Sequence, residues 1–220
     1  RADRKELAIF LAAFLGVLVL GTIYGVVIGV LLSFVDVIRR ASQPSRELLG
    51  AISGQPVFYP LGRMSQAHSL EGVVLYRFSG GLFFANIDRF QKDVENCVKP
   101  GIRAVIVDAS GIVSVDLTAA ERLVLLYRRL KEQGVRLYLT EHIGQVNDEL
   151  RRFGAGELIE EGAVRRTLYA ALEDCGAAEG EVKQWIPEEM RHAVPELLRQ
   201  TQELEWAYGE EAQSKLDAMT

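Results

Sequence analysis

The sequence predicts an α/β domain, helices packed on a sheet, preceded by a membrane helical hairpin and followed by a partly helical tail. Three observations carry this expectation. Residues 7–35 contain no charged side chain, a run well beyond the ~18 apolar residues that mark a membrane-spanning candidate. Between residues 72 and 174, short β-branched and aromatic runs alternate with amphipathic segments of helical period, the pattern of helices covering a sheet. From Glu173 onward, twelve acids stand against four bases.

These shifts divide the 220 residues into a membrane hairpin (1–40), a linker (41–54), the α/β domain (55–175) and an acidic tail (176–220). The chain starts at Arg1 rather than Met, as expected of a piece of a longer protein. As one straight helix, 7–35 would run about 43 Å at ~1.5 Å per residue, against a hydrocarbon core of ~30 Å. A break is therefore expected, and "LGTIYG" at 20–25 supplies it with two glycines and a β-branched pair. Two helices, about 6–20 and 24–40, follow. Arg1, Arg4 and Lys5 precede the apolar run, and Arg39, Arg40 and Arg46 follow it. Basic residues gather on the cytoplasmic side of membrane segments, so both ends are expected in the cytoplasm at the cell membrane.

Gly21, Gly25, Gly29 and Ser33 recur every fourth residue. In lipid that spacing makes a groove of small residues in which another helix backbone can pack. Its expected occupants are transmembrane helices upstream of Arg1 or a second subunit of a homodimer. The bland alternative is that glycine is simply commoner in membrane helices.

After "RRASQPSRE" (39–47) the composition becomes that of a water-facing domain. A first strand is expected near 57–59, bounded by prolines. Residues 73–78 read as a strand, 79–81 (Ser-Gly-Gly) as a turn, and 82–85 as a second short apolar run. Asn86 or Asp88 is placed to cap a helix reaching about Cys97. Residues 103–110 are nearly continuously apolar, as in a strand covered on both faces. Ala120, Leu123, Val124, Tyr127 and Leu130 line one face of a helix over 118–133, which Gly134 ends. A strand at 135–140 follows, then a short helix carrying Val146, Leu150 and Phe153, and a last one with Val164, Leu168, Ala171 and Leu172. In the tail, 176–184 reads as a Gly/Ala/Glu-rich linker and 185–220 as weakly helical, with Trp185 and Trp206 hinting at docking.

Several chemistries find no support. The net charge is −5 and no basic stripe carries interleaved aromatics, which argues against nucleic acid. Cys97 and Cys175 lie far apart, and His68, His142 and His192 are scattered, so neither a metal site nor a redox pair is expected. Ser79–Gly80–Gly81 has neither the spacing nor the lysine of a phosphate loop. No nucleophile, base and orienting group can be assembled, so neither an enzyme nor a cofactor is expected. Asp108 and Ser110 are read as bracing their loop. Thr118-Ala119-Ala120-Glu121 has the form of a capping box, in which Thr118 would accept from first-turn amides and Glu121 would reach back.

Three stretches together resemble one family. "VVLYRFSGGLFFANIDRF" (73–90) and "AVIVDASGIVSVDLTAAERL" (104–123) are similar to the opening strand and the central strand-loop-helix of a STAS domain as found in SulP anion transporters. "YGVVIGVLLS" (24–33) resembles the last transmembrane helix before that domain. The likeness covers about residues 4–174, with one departure: Ala119 stands where the family usually has glycine after Asp-x-Thr. The resemblance implies a mixed sheet with helices packed on it, within the C-terminal part of a transporter of sulfate- or bicarbonate-type anions. Its substrate site would lie upstream of Arg1. In related soluble antagonists the hydroxyl residue two places after the loop aspartate is phosphorylated by a partner kinase. This implies Thr118, with Asp116 beside it, as a regulatory phosphosite and a regulatory protein as a partner. The alternative is a membrane-tethered STAS signalling module without transport.

Overall fold

A computed structural model describes residues 4–52, 55 and 57–177 of the chain. The tail beyond 177, with Trp185, Trp206 and the weak helical pattern, lies outside the described residues.

Two helices, α1 (Arg4–Leu20) and α2 (Thr22–Ala41), fold back on each other. The break is the single residue Gly21, with φ 91° and ψ 167°, a left-handed conformation that glycine alone adopts without steric cost. A Cβ added to Gly25 would lie 2.2 Å from Val17 Cγ2 and 2.5 Å from the Val17 backbone nitrogen. One added to Gly29 would lie 3.1 Å from Ala13 Cβ. The small-residue groove at Gly25 and Gly29 is thus filled by α1 itself. Gly21 makes the break with nothing packed on it, and Ser33 is exposed. This corrects the expectation that the whole row awaits helices from outside the chain. α2 is long and apolar enough to cross a membrane, whereas the apolar part of α1, Leu7–Val19, is shorter. Phe10, Phe14, Leu18, Ile23, Val30 and Phe34 all point outward, a surface that suits lipid or further helices and not water.

The domain is built on a five-stranded sheet in the order β2-β1-β3-β4-β5. Its strands are β1 (Ser45–Ala51), β2 (Phe58–Pro60), β3 (Val73–Ser79), β4 (Ala104–Asp108) and β5 (Arg136–Thr140). β3, β4 and β5 run parallel, while β1 is antiparallel to both β2 and β3. The helices are α3 (Ile87–Cys97), α4 (Leu117–Glu132), α5 (Gly144–Arg152), α6 (Glu157–Glu160) and α7 (Leu168–Asp174). One face of the sheet packs Val105 and Val107 against Phe90, Leu123, Leu126 and Leu150. The other packs Ala104 and Ile106 against Leu168, Ala171 and Leu172 of α7. All five residues of β4 are buried, as a strand covered on both faces requires.

Three expectations change. The stretch 41–54, read as a linker, contains β1. "SRELLGA" has poor strand propensity and no clean alternation, yet it is held on both sides by β2 and β3, and such pairing overrides propensity. The run at 82–85 is not a strand; Leu82 makes one isolated bridge to Val115. The short helix α6 was not foreseen. Across the layers, Asp93 of α3 accepts from Arg46 of β1 at 2.6 Å and from the Tyr76 hydroxyl at 2.9 Å. Burial first, and the neighbouring carboxylate second, push the Tyr76 hydroxyl far above the usual phenol range.

Candidate functional site

Parallel strands deliver their loops to one edge of the sheet, and the loops after β3 and β4 meet there. Leu82 N donates to Ser114 O at 2.8 Å, and Asp116 N donates to Leu82 O at 2.9 Å. The approach is close enough that a Cβ on Gly81 would lie 2.6 Å from Ser114 Oγ. Each side chain that closes this arrangement is polar. Asp116 is the N-cap of α4: Oδ1 accepts from Ala119 N at 2.8 Å, and Oδ2 accepts from Phe84 N at 2.9 Å. One carboxylate therefore caps the helix and ties it to the neighbouring loop. Glu149 of α5 accepts from Val115 N at 2.5 Å.

Asn86 sits at the N-cap position of α3 but makes no capping bond. Its fully buried side chain accepts from Phe83 N at 3.0 Å and donates to Gly81 O at 2.8 Å. A longer bond, 3.5 Å, reaches Ala41 O at the end of α2. Asp108 braces its loop as expected, accepting from Ser110 N at 3.0 Å. Its other partner was not foreseen: Arg77, across on β3, donates from both Nε and Nη2 to Asp108 Oδ2 at 2.8 Å.

Thr118 occupies the first turn of α4 with its side chain in solvent, and the capping box expected of Thr118 and Glu121 is replaced by Asp116 and Ala119. The reason is register: the N-cap is Asp116, two residues before the Thr118 of the expected capping box, so Thr118 is already inside the helix. Ala119 is fully buried where the family pattern carries glycine. An Asp116→Ala variant is expected to lose about 2 kcal/mol, since two amides lose a charged acceptor. Thr118→Ala should stay within about 0.5 kcal/mol. Thermal unfolding of the two variants side by side checks this ranking.

Around Thr118 three apolar side chains are left exposed: Phe84 at 63%, Val113 at 56% and Leu117 at 52%. Arg122 lies one turn further along the same exposed face. Among the described residues no cluster of His, Cys, Asp and Glu could hold a metal ion. Cys97 and Cys175 are half-buried free thiols whose pKa burial pushes up.

The pattern of the STAS domain matches residues 65–175, half of the chain. The chain belongs to the STAS-domain family. The protein "Probable sulfate transporter" of Mycobacterium tuberculosis strain H37Rv is 31% identical over 176 residues, 79% of this chain and 31% of that protein. The protein "Sulfate transporter 1.3" of Arabidopsis thaliana is 24% identical over 186 residues, 80% of this chain and 28% of its own length. Both alignments are longer than the STAS domain alone. The murine Solute Carrier 26 family member A9 anion transporter, solved in the inward-facing state, shares the fold: TM-score 0.73, 22% identity, 80% of this chain and 29% of that one. The chain spans about three tenths of the length of the curated relatives it matches.

Proposed function

We propose that this chain is the C-terminal portion of a secondary-active membrane transporter of inorganic anions of the sulfate or bicarbonate type. The STAS domain would lie in the cytoplasm and serve assembly or regulation. The observation that carries this reading is the order of parts: an apolar hairpin leads within four residues into the first strand of the sheet on which the STAS match is built. Relatives named sulfate transporters are similar over a stretch longer than that domain. Arg39 and Arg40 in the last turn of α2 favour the cytoplasmic side at the domain end. Substrate-binding residues belong to the part upstream of Arg1, and the exposed apolar surface of the hairpin packs there, in the bilayer, or on a second subunit.

The test is uptake of labelled sulfate and bicarbonate by the full-length protein in sealed vesicles. Saturable uptake that depends on the protein supports the reading. No uptake, together with one or no apolar segment upstream of Arg1, would establish a membrane-tethered STAS interaction module instead. That second reading has one observation in its favour, since α2 is the one described helix long enough to span a bilayer.

Thr118 is proposed as the regulatory phosphosite on this domain. Asp116 has taken over the capping role, so the Thr118 hydroxyl stays free for modification. A phosphate adds about −1.5 to −2 charges in the middle of the apolar rim of Phe84, Val113 and Leu117. Asp116 and Glu121 repel it and Arg122, one turn on, attracts it, so the expected effect is a changed docking surface for a regulatory protein and not unfolding. Mass spectrometry of protein isolated from cells checks this; Thr118 uniformly unmodified under all growth conditions would overturn it.

A further inference from the structure

β5 is the outer strand of the sheet opposite β2, and residues 163–168 are tied along its end. Leu139 N donates to Ala163 O at 2.8 Å, and Arg165 N donates to Leu139 O at 2.9 Å. Glu141 N donates to Arg166 O at 3.1 Å, and Glu141 Oε1 accepts from Leu168 N at 2.8 Å. The turn that makes this second pair is strained. Glu141 has φ 57°, the one positive value outside glycine among the described residues.

His142 comes next, with a half-buried ring. Its Nδ1 is buried without a hydrogen-bond partner, and so is Asn147 Oδ1 of α5, so the two do not bond each other. A neutral imidazole leaves only an idle acceptor there, but an imidazolium carries N–H on both nitrogens. A proton on Nδ1 would bury an unpaired donor and a charge together. The surrounding charges give no relief. Arg166 adds a second cation, while the Arg165 guanidinium is bound to Asp174. Glu141 turns its carboxylate to Leu168 N. On α5, Glu149 accepts from Val115 N and from Gln145, and Asp148 faces Arg151. Burial first and Arg166 second hold His142 below the ordinary histidine pKa, and a backbone bond with Arg165 offsets them in part.

In water the ring finds partners for both nitrogens and returns to the ordinary ~6.5. The closed turn therefore binds fewer protons than the open one. Its stability is complete above that pH and declines as pH falls below it.

We propose that His142 is an acid release on this edge of the domain: neutral, it sits against residues 165–166 and keeps the turn closed; protonated, it swings out and lets residues 163–168 part from β5. The strain at Glu141 relaxes at the same time, and the outward peptide groups of Leu139 become open to water. The release is a property of the domain and is independent of what the whole protein transports.

Hydrogen exchange on the full chain in lipid nanodiscs, resolved to single amides and corrected for the intrinsic effect of pH, tests this. Between about pH 7.5 and 5.5 the protection of the Leu139 amide is expected to fall several-fold. The ceiling is about tenfold, because at the lower pH a free imidazole is protonated about ten times as often as not. The Tyr138 amide, on the β4 side of the same strand, should keep its protection, showing that the sheet is intact. In His142→Gln the pH dependence at Leu139 should vanish, whatever the absolute stability of the variant. The His142 ring signal in nuclear magnetic resonance, recognised by its loss from that variant, should titrate below the ordinary ~6.5. An equal fall in both proteins, no fall in either, or a fall shared by Tyr138 would overturn the proposal. So would a His142 ring that titrates at the ordinary value or above it.

Discussion

Gly25→Ile is expected to separate the two helices of the membrane hairpin. The new side chain has no space: even its Cβ would sit 2.2 Å from Val17 Cγ2 and 2.5 Å from the Val17 nitrogen. A side-chain tip can rotate away, but a backbone nitrogen cannot, so α1 must move. The cost is about 3 kcal/mol or more, and without a strong hydrophobic drive between helices in lipid little opposes their parting. Cysteines at Ala13 and Gly29, whose Cβ positions lie 3.1 Å apart, report the contact after a small adjustment to the ~3.8 Å that a disulfide needs. With Cys97 and Cys175 changed to serine, that disulfide should form readily, and its rate should fall at least about tenfold with Gly25→Ile. Ser33→Ile, on the same row but exposed, should leave the rate unchanged. An equal loss in both variants would mean that the row packs as a unit against something else.

Arg77→Met should be the most damaging single change in the STAS domain. Asp108 is only 3% exposed and its Oδ2 takes both guanidinium bonds at 2.8 Å. Ser110 N is then the one described donor that remains to it. An unpaired buried carboxylate costs about 3–5 kcal/mol, which for a domain of this size lowers the melting temperature by roughly 10–20 °C. Asp108→Asn in the same protein removes the charge and retains an oxygen for Ser110, so the double variant should recover more than half of the loss. Unfolding of the full chain in detergent, followed by near-ultraviolet circular dichroism, measures both. If the double variant were as unstable as Arg77→Met, packing of the arginine stem and not its charge would be the main contribution.

The parts of the fold that the sequence announced are those in which burial sets a period. β4 reads as a run of apolar residues because it is covered twice, and α4 shows its core face as a stripe. β1 escaped notice because its partners create it: Leu48 is exposed and Leu49 buried, too short an alternation to stand out between charges. At the candidate site the residue types were legible but their partners were not. Asp116 looked like the neighbour of Thr118, Asn86 like a local cap, and Asp108 like a brace of its own loop. Their bonds to Phe84, Ala41 and Arg77 span 32, 45 and 31 positions, distances over which no periodicity carries information. The shift of the α4 cap by two residues then gave Asp116 the capping role expected of Thr118.

The junction between hairpin and domain is short. α2 ends at Ala41, β1 starts at Ser45, and the Asn86 amide reaches the last carbonyl of the helix at 3.5 Å while bonding the loop that Asp116 clamps. On the proposed membrane reading, a tilt of α2 would reach this corner of the domain through the three residues 42–44. The surface bearing Thr118 would then shift with α2, and the proposed regulatory protein, bound there, would resist the same movement.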